Sequence, residues 1–137
     1  VESVHLREFP EIPASWLDAD LAEKWCRIKE IRGRVLGKLE RLRANGEIGS
    51  SLDAIITVFV PILERNIFKS IDMGEICIVS DVVMHFSRAE QNGSSTFTLD
   101  KATGEKCNRC WKVLPEVENN DGICNRCADV VKQEKAA

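Results

Sequence analysis

Apolar residues change their spacing twice along this chain, and each change marks a boundary. From Trp16 to Ala44 they recur at three- and four-residue steps, with Leu21, Trp25, Ile28, Val35, Leu39 and Leu42 on one face, so the pattern predicts an α-helix. Arg32 takes one slot that this period would make apolar. Ser15 or Asp18 is placed to cap the start, and Asn45-Gly46 is a stop signal. Such a run is about 40 Å long at 1.5 Å per residue. A chain this small is not expected to bury the whole face, so part of it should pack against a helix outside the chain. Residues 1–15 carry Pro10, Pro13 and mixed polarity, and read as extended.

Beyond the stop, Ile48-Gly49-Ser50-Ser51-Leu52-Asp53-Ala54 leads into the β-branched run Ile55–Val60, which predicts a strand. Pro61 ends it and suits the first position of a short helix reaching about Ser70. Glu75 to Phe86, with Ile76, Ile78, Val79, Val82 and Val83, predicts a second strand broken near Ser80-Asp81. Gln91-Asn92-Gly93 carries hairpin-turn chemistry, and Ser95 to Lys101 predicts a third strand. The tail after Val131 is polar and expected to fray. The expected class is therefore α+β: a long N-terminal helix (1–47 with its linker), a small β-α-β-β unit (48–103) and a C-terminal module (104–137).

That module carries the strongest chemical signal. Four of the six cysteines form two Cys-Asn-Arg-Cys boxes, Cys107–Cys110 and Cys124–Cys127, thirteen residues apart. Two residues between paired cysteines let a tight turn aim both sulfurs at one point, and two such turns supply the four corners of a tetrahedral zinc site. A pair of disulfides is the alternative. Four protein ligands leave no position open for water or substrate, so the expected cofactor is one structural Zn²⁺. Its four thiolates leave the centre at about −2. Lys106, Arg109, Lys112 and Arg126 surround that charge, either to balance it or also to contact phosphate. Trp111 offers a stacking platform, or a lid over the metal.

Composition changes the picture only in part. With 137 residues, 44% apolar and 30% charged, the chain can build a core and is not expected to be disordered. The net charge of −3 means that any attraction to nucleic acid must come from local surface. The helix supplies one such surface. Lys24, Arg27, Arg34, Lys38 and Arg41 share a stripe, and residues 16–44 hold eight Lys/Arg against five Asp/Glu, a local +3. Glu23 and Glu30 stand four residues before Arg27 and Arg34 and are placed to pair with them, so a solvated, salt-bridged face is the bland alternative to a phosphate partner. His5 and His85 lie outside any nucleophile motif, Cys26 and Cys77 read as reduced and structural, and no phosphate loop or catalytic signature occurs. No segment is long and apolar enough to span a membrane, and the N-terminus does not read as a signal peptide. The start at Val1 rather than methionine suits a piece of a longer protein.

Taken together, these motifs resemble the C-terminal region of bacterial-type isoleucyl-tRNA synthetases. The resemblance runs from Glu2-Ser3-Val4-His5-Leu6, Phe9-Pro10 and Trp16, through the helix (Leu21, Trp25, Ile31-Arg32, Val35, Leu39-Glu40, Arg43) and Ile48–Ala54. It ends in Gly104-Glu105-Lys106-Cys107-x-Arg109-Cys110-Trp111 and Cys124-x-Arg126-Cys127, the most specific strings. It implies that the helix is the last of an anticodon-binding bundle, the α/β unit a junction domain and the finger a tRNA-engaging peptide. It also implies a cytoplasmic, monomeric parent that joins isoleucine to its tRNA with ATP, with catalytic and editing domains elsewhere. The His-Ile-Gly-His and Lys-Met-Ser-Lys-Ser signatures of such an active site are absent from these residues, so no catalytic residue is expected here. Two alternatives stay open: a purely structural or protein-docking module, and a DNA-binding finger of the formamidopyrimidine-DNA glycosylase type. Against the second, Trp111 stands where that family has glycine, and the upstream elements do not fit.

Overall fold

The computed structural model describes residues 3–88 and 95–136. Its long helix, α1 (Ala19–Ala44), begins three residues later than the apolar period suggested. Ala14–Trp16 forms a 3-10 turn instead, and Asp18 is the cap, its carboxylate accepting the Leu21 N–H at 2.9 Å. The helix ends where Asn45-Gly46 places the stop. Gly46 adopts φ +74°, and the Glu47 N–H turns back to the Leu42 carbonyl at 2.9 Å.

Ile28, Ile31, Val35 and Leu39 of α1 are buried in one core with Ala54, Ile56, Val58 and Val60 of the central strand β1 (Ala54–Pro61). Alternation along β1 puts these four residues on the α1 side of the sheet. The chain's own sheet therefore covers α1 over its middle and C-terminal turns. Trp16, Leu17 and Leu21 remain exposed at its N-terminal end.

Strand β2 (Asp81–Ser87) runs parallel to β1, and β3 (Thr96–Lys101) antiparallel to it, in the order β2-β1-β3. The hairpin expected around Gln91-Asn92-Gly93 lies outside the described residues, and the strands on either side of it do not pair with each other but flank β1. Pro61 is the last residue of β1 rather than the first of a helix. A 3-10 turn (Ile62–Glu64) and then the short α2 (Arg65–Phe68) follow it.

The second predicted strand is corrected in its first half. Met73–Cys77 forms a helix, α3, because Asp72 caps it through the Gly74 and Glu75 N–H groups at 2.8 and 3.1 Å. Ile78 then turns the chain with φ +57°, and the strand begins only after Ser80. A local cap outweighs the β-branched run here. The odd position of Arg32 on α1 is explained by its Nε, which donates to the Ile76 carbonyl at 2.9 Å near the C-terminal end of α3. The Ile48–Ala54 motif is a capped turn. Asp53 accepts from the Gly49 and Ser50 N–H groups at 3.0 and 2.7 Å, and Ser50 from the Leu52 N–H at 3.2 Å.

Ser80 joins three parts of the chain. It is buried, its hydroxyl donates to the Leu52 carbonyl, and it accepts the Val113 N–H from the C-terminal module at 2.7 Å. Ser80→Ala leaves two backbone groups without this partner. It should cost about 1–3 kcal/mol in urea unfolding and speed amide exchange at Val113.

Cys77 is buried too, and burial pushes its thiol from an ordinary 9.0 up to about 11 against the opposing charge of Arg32. Folding thus favours the neutral thiol. The contribution to stability is complete below pH 9 and is lost as pH rises through about 11. At pH 8, iodoacetamide should label exposed Cys26 in the native protein, and Cys77 only after unfolding, as read by mass spectrometry.

Candidate metal centre

The C-terminal module starts with a two-strand hairpin, β4 (Glu105–Lys106) against β5 (Val113–Leu114). Its turn is the first cysteine box. The Cys107 N–H donates to the Lys112 carbonyl and the Trp111 N–H to the Cys107 carbonyl, both at 2.9 Å, which closes the turn around the two sulfurs. Gly104 enters this hairpin with φ +113°. A Cβ there would stand 2.5 Å from the Leu114 carbonyl carbon, so the position is closed to any side chain.

A 3-10 turn (Pro115–Asn119) leads to the second box, where Cys124 precedes the helix α4 (Asn125–Ala136) and Cys127 lies on its first turn. The Asn108 N–H donates to the Gly122 carbonyl at 2.9 Å and stitches the boxes together. α4 continues past Val131 to Ala136.

All four sulfurs lie within 4.8 Å of one another, and Cys110 Sγ is 3.6 Å from Cys124 Sγ. Sulfurs at about 2.3 Å from a tetrahedral zinc ion sit roughly 3.8 Å apart, whereas a disulfide requires about 2.05 Å. The donor set therefore fits one zinc ion and excludes the disulfide alternative, and every cysteine is free.

The surroundings favour thiolate at one corner. Burial opposes ionisation of Cys107, but the Cys110, Cys124 and Arg109 backbone N–H groups outweigh it and bring the thiol down to about 6. The Cys124 N–H stands 3.3 Å from that sulfur. Burial holds the thiols of Cys110, Cys124 and Cys127 above their ordinary value in the absence of metal. Among the described residues, Val117, Leu114 and Ile123 add the apolar packing around the sulfurs. So small a core makes folding and metal binding one event, worth on the order of 10 kcal/mol.

Trp111 does not cover the metal. It is 62% exposed, outside the packed cluster, at φ +67°, a conformation unusual for a bulky residue. Lys106 Nζ lies 5.6 Å from its ring centroid. The arginines of the two boxes diverge. Arg126 bonds Glu75 of α3 at 2.7 Å and ties the module to the α/β unit, while Arg109 meets Glu134 only at 3.9 Å. Lys112 contributes its carbonyl to the turn.

The stripe on α1 divides in two. Lys24 donates to Ser70 Oγ at 3.2 Å, and Arg27 is held by Glu30 at 2.6 Å, Glu64 at 3.0 Å and Ser95 at 2.7 Å. Burial works against the Arg27 charge, but those carboxylates more than offset it and raise its pKa. The expected Glu23–Arg27 and Glu30–Arg34 pairs are thus replaced by bonds from Arg27 to Glu30 and Glu64. Among the described residues, Arg34, Lys38 and Arg41 have no carboxylate within ion-pair distance. Arg34 and Lys38 instead lie over the ring of Phe97. Ser80, Glu64 and Phe97 carry no sequence signal for these roles, because each acts on a residue far away in the chain.

Residues 104–130 match the family described as "Zinc finger found in FPG and IleRS". Beyond the finger, nearly the whole chain is homologous to a segment of isoleucine–tRNA ligases. It is 40% identical over 129 residues to the isoleucine–tRNA ligase of Zymomonas mobilis, covering 94% of this chain and 13% of that protein. To that of Gluconobacter oxydans it is 38% identical over 133 residues, covering 95% and 14%. To that of Natranaerobius thermophilus it is 30% identical over 148 residues, covering 96% and 16%. The chain thus spans about one seventh of the length of these relatives. Among the described residues, no helix is long and apolar enough to cross a membrane.

Freshly purified protein should carry about one zinc per chain. Stripping it with a chelator should erase the amide protection of residues 104–136 and shift Trp111 fluorescence, while the β1–β3 sheet keeps its protection. Much less than one zinc per chain would refute the tetrathiolate site.

Proposed function

We propose that this chain is a tRNA-contacting segment of an isoleucine–tRNA ligase. The whole enzyme would join isoleucine to its tRNA with ATP, as a cytoplasmic monomer. This segment supplies grip and positioning, and the chemistry belongs to catalytic and editing domains elsewhere in the parent. Three parts divide the work: the helix of residues 1–47 and the finger of 104–137 contact RNA, and the α/β unit of 48–103 holds them together. In the finger, Cys107, Cys110, Cys124 and Cys127 hold the zinc. Lys106, Arg109, Trp111 and Lys112 form its RNA face, with Arg34, Lys38 and Arg41 on α1.

The observation that carries this reading is Trp111. An indole held in a strained left-handed conformation, exposed beside a metal ligand and topped by a lysine, is a poor choice for packing and a good one for stacking on a base. A specific contact favours a second role for Arg126. Its bond to Glu75 docks the finger on its own α/β unit, so it acts as a tether rather than a phosphate ligand. Arg27 and Lys24 likewise have internal partners.

Trp111→Ala should weaken tRNA binding by about 1–3 kcal/mol. Lys106→Glu should weaken it and flatten its salt dependence, and both variants should retain zinc. Anisotropy titrations with isoleucine-accepting tRNA at several salt concentrations measure both effects. Unchanged affinity in both would leave the finger as a docking module only.

A further inference from the structure

The C-terminal half of the α1 stripe faces an aromatic ring at the edge of the core. Phe97, on β3, has the Arg34 guanidinium carbon 5.5 Å and the Lys38 ammonium 5.6 Å from its ring centroid. These residues, with Arg41 and Leu42, line a groove of about 440 Å³. The nearest carboxylates along the helix are already engaged, Glu30 by Arg27 and Glu40 by Arg43, each at 2.6 Å. Arg34 and Lys38 are four residues apart, and Lys38 and Arg41 three, so like charges face each other across successive turns. Gathering three cations at one groove without an acid is unfavourable in the free protein, and an anion bound there removes the repulsion. The quadrupole of one ring holds two of the cations in place beforehand, which lowers the entropy lost when they engage a ligand.

We propose that Phe97 is a positioning residue for tRNA: it holds Arg34 and Lys38 over a groove that, with Arg41, takes the phosphodiester backbone. This rests on the reading of the chain as a tRNA-contacting segment and adds a site and a residue to it. Recognition there is by charge and spacing of phosphates, and the ring reaches the RNA only through the two cations.

The test is tRNA binding by the zinc-loaded chain across a salt series, with F97L, F97Y and the double variant R34Q/K38Q, and with K106E as a reference in the finger. R34Q/K38Q should weaken binding and reduce the slope of log affinity against log salt by about 0.7–0.9 for each phosphate no longer neutralised. F97L should weaken binding about three- to tenfold with the slope unchanged, since the charges remain and only their placement changes. F97Y, which keeps the ring, should bind like the parent. A loss of zinc or a lowered melting temperature in F97L would shift the decision to F97Y and R34Q/K38Q, whose side chains reach the surface of the groove. If K106E weakens tRNA binding while R34Q/K38Q does not, the groove proposal is overturned and the finger reading stands. If none of the variants changes affinity, both fail. Equal or tighter binding by F97L would overturn the positioning role, because the cations would then have to leave the ring to reach phosphate.

Discussion

Convergence of four sulfurs within 4.8 Å is the constraint from which the surface of the C-terminal module follows. With three apolar side chains added to the cysteine cluster, the module cannot be held by burial, so its backbone is shaped around the metal. Gly104 must pass against the Leu114 carbonyl for the first knuckle to close. Trp111, immediately after a ligand, is turned outward at positive φ as the chain leaves that knuckle. α4 starts between the two cysteines of the second box, so Cys127 is placed by the helix's first turn. The four metal-ligating cysteines thereby decide which residues face outward.

The module is also fixed to the rest of the chain, at one polar and one charged contact. Ser80 satisfies a carbonyl before β1 and an N–H in β5 from a buried position, and Arg126 reaches α3. The buried contact carries more of the weight. An exposed ion pair such as Arg126–Glu75 contributes about 0–1 kcal/mol, whereas stranding a buried backbone donor costs about 1–3. The finger, the sheet and α1 are thus connected.

Pairing sorts the basic residues into structural and available ones. Arg27, Lys24, Arg43 and Arg126 have named partners within the chain, while Arg34, Lys38, Arg41 and Lys106 lack carboxylate partners among the described residues. Seen along the sequence, the five cations of the α1 stripe look equivalent. Glu64, from the segment after β1, breaks that equivalence by drawing Arg27 inward with Glu30, which leaves Arg34 without its expected partner.

Spacing alone marked the metal ligands, the body of α1, β1, β3 and the stop at Asn45-Gly46, because each carries a short local pattern, down to the two residues inside each cysteine box. Local chemistry also contained the cap that makes α3 a helix, but the β-branched residues around it masked Asp72. What only the tertiary structure decided are contacts between distant residues. The order β2-β1-β3 replaces a hairpin, Arg32 reaches the Ile76 carbonyl, and Ser80 bridges 28 residues back and 33 forward. Phe97 lies beneath two cations some sixty residues before it in the chain. Such pairings leave no periodic trace, since a hydrogen bond or cation–π contact needs only that two groups meet in space. The sulfurs converge because their spacing makes them; the cations are divided into tethers and free charges only once the sheet has folded against α1.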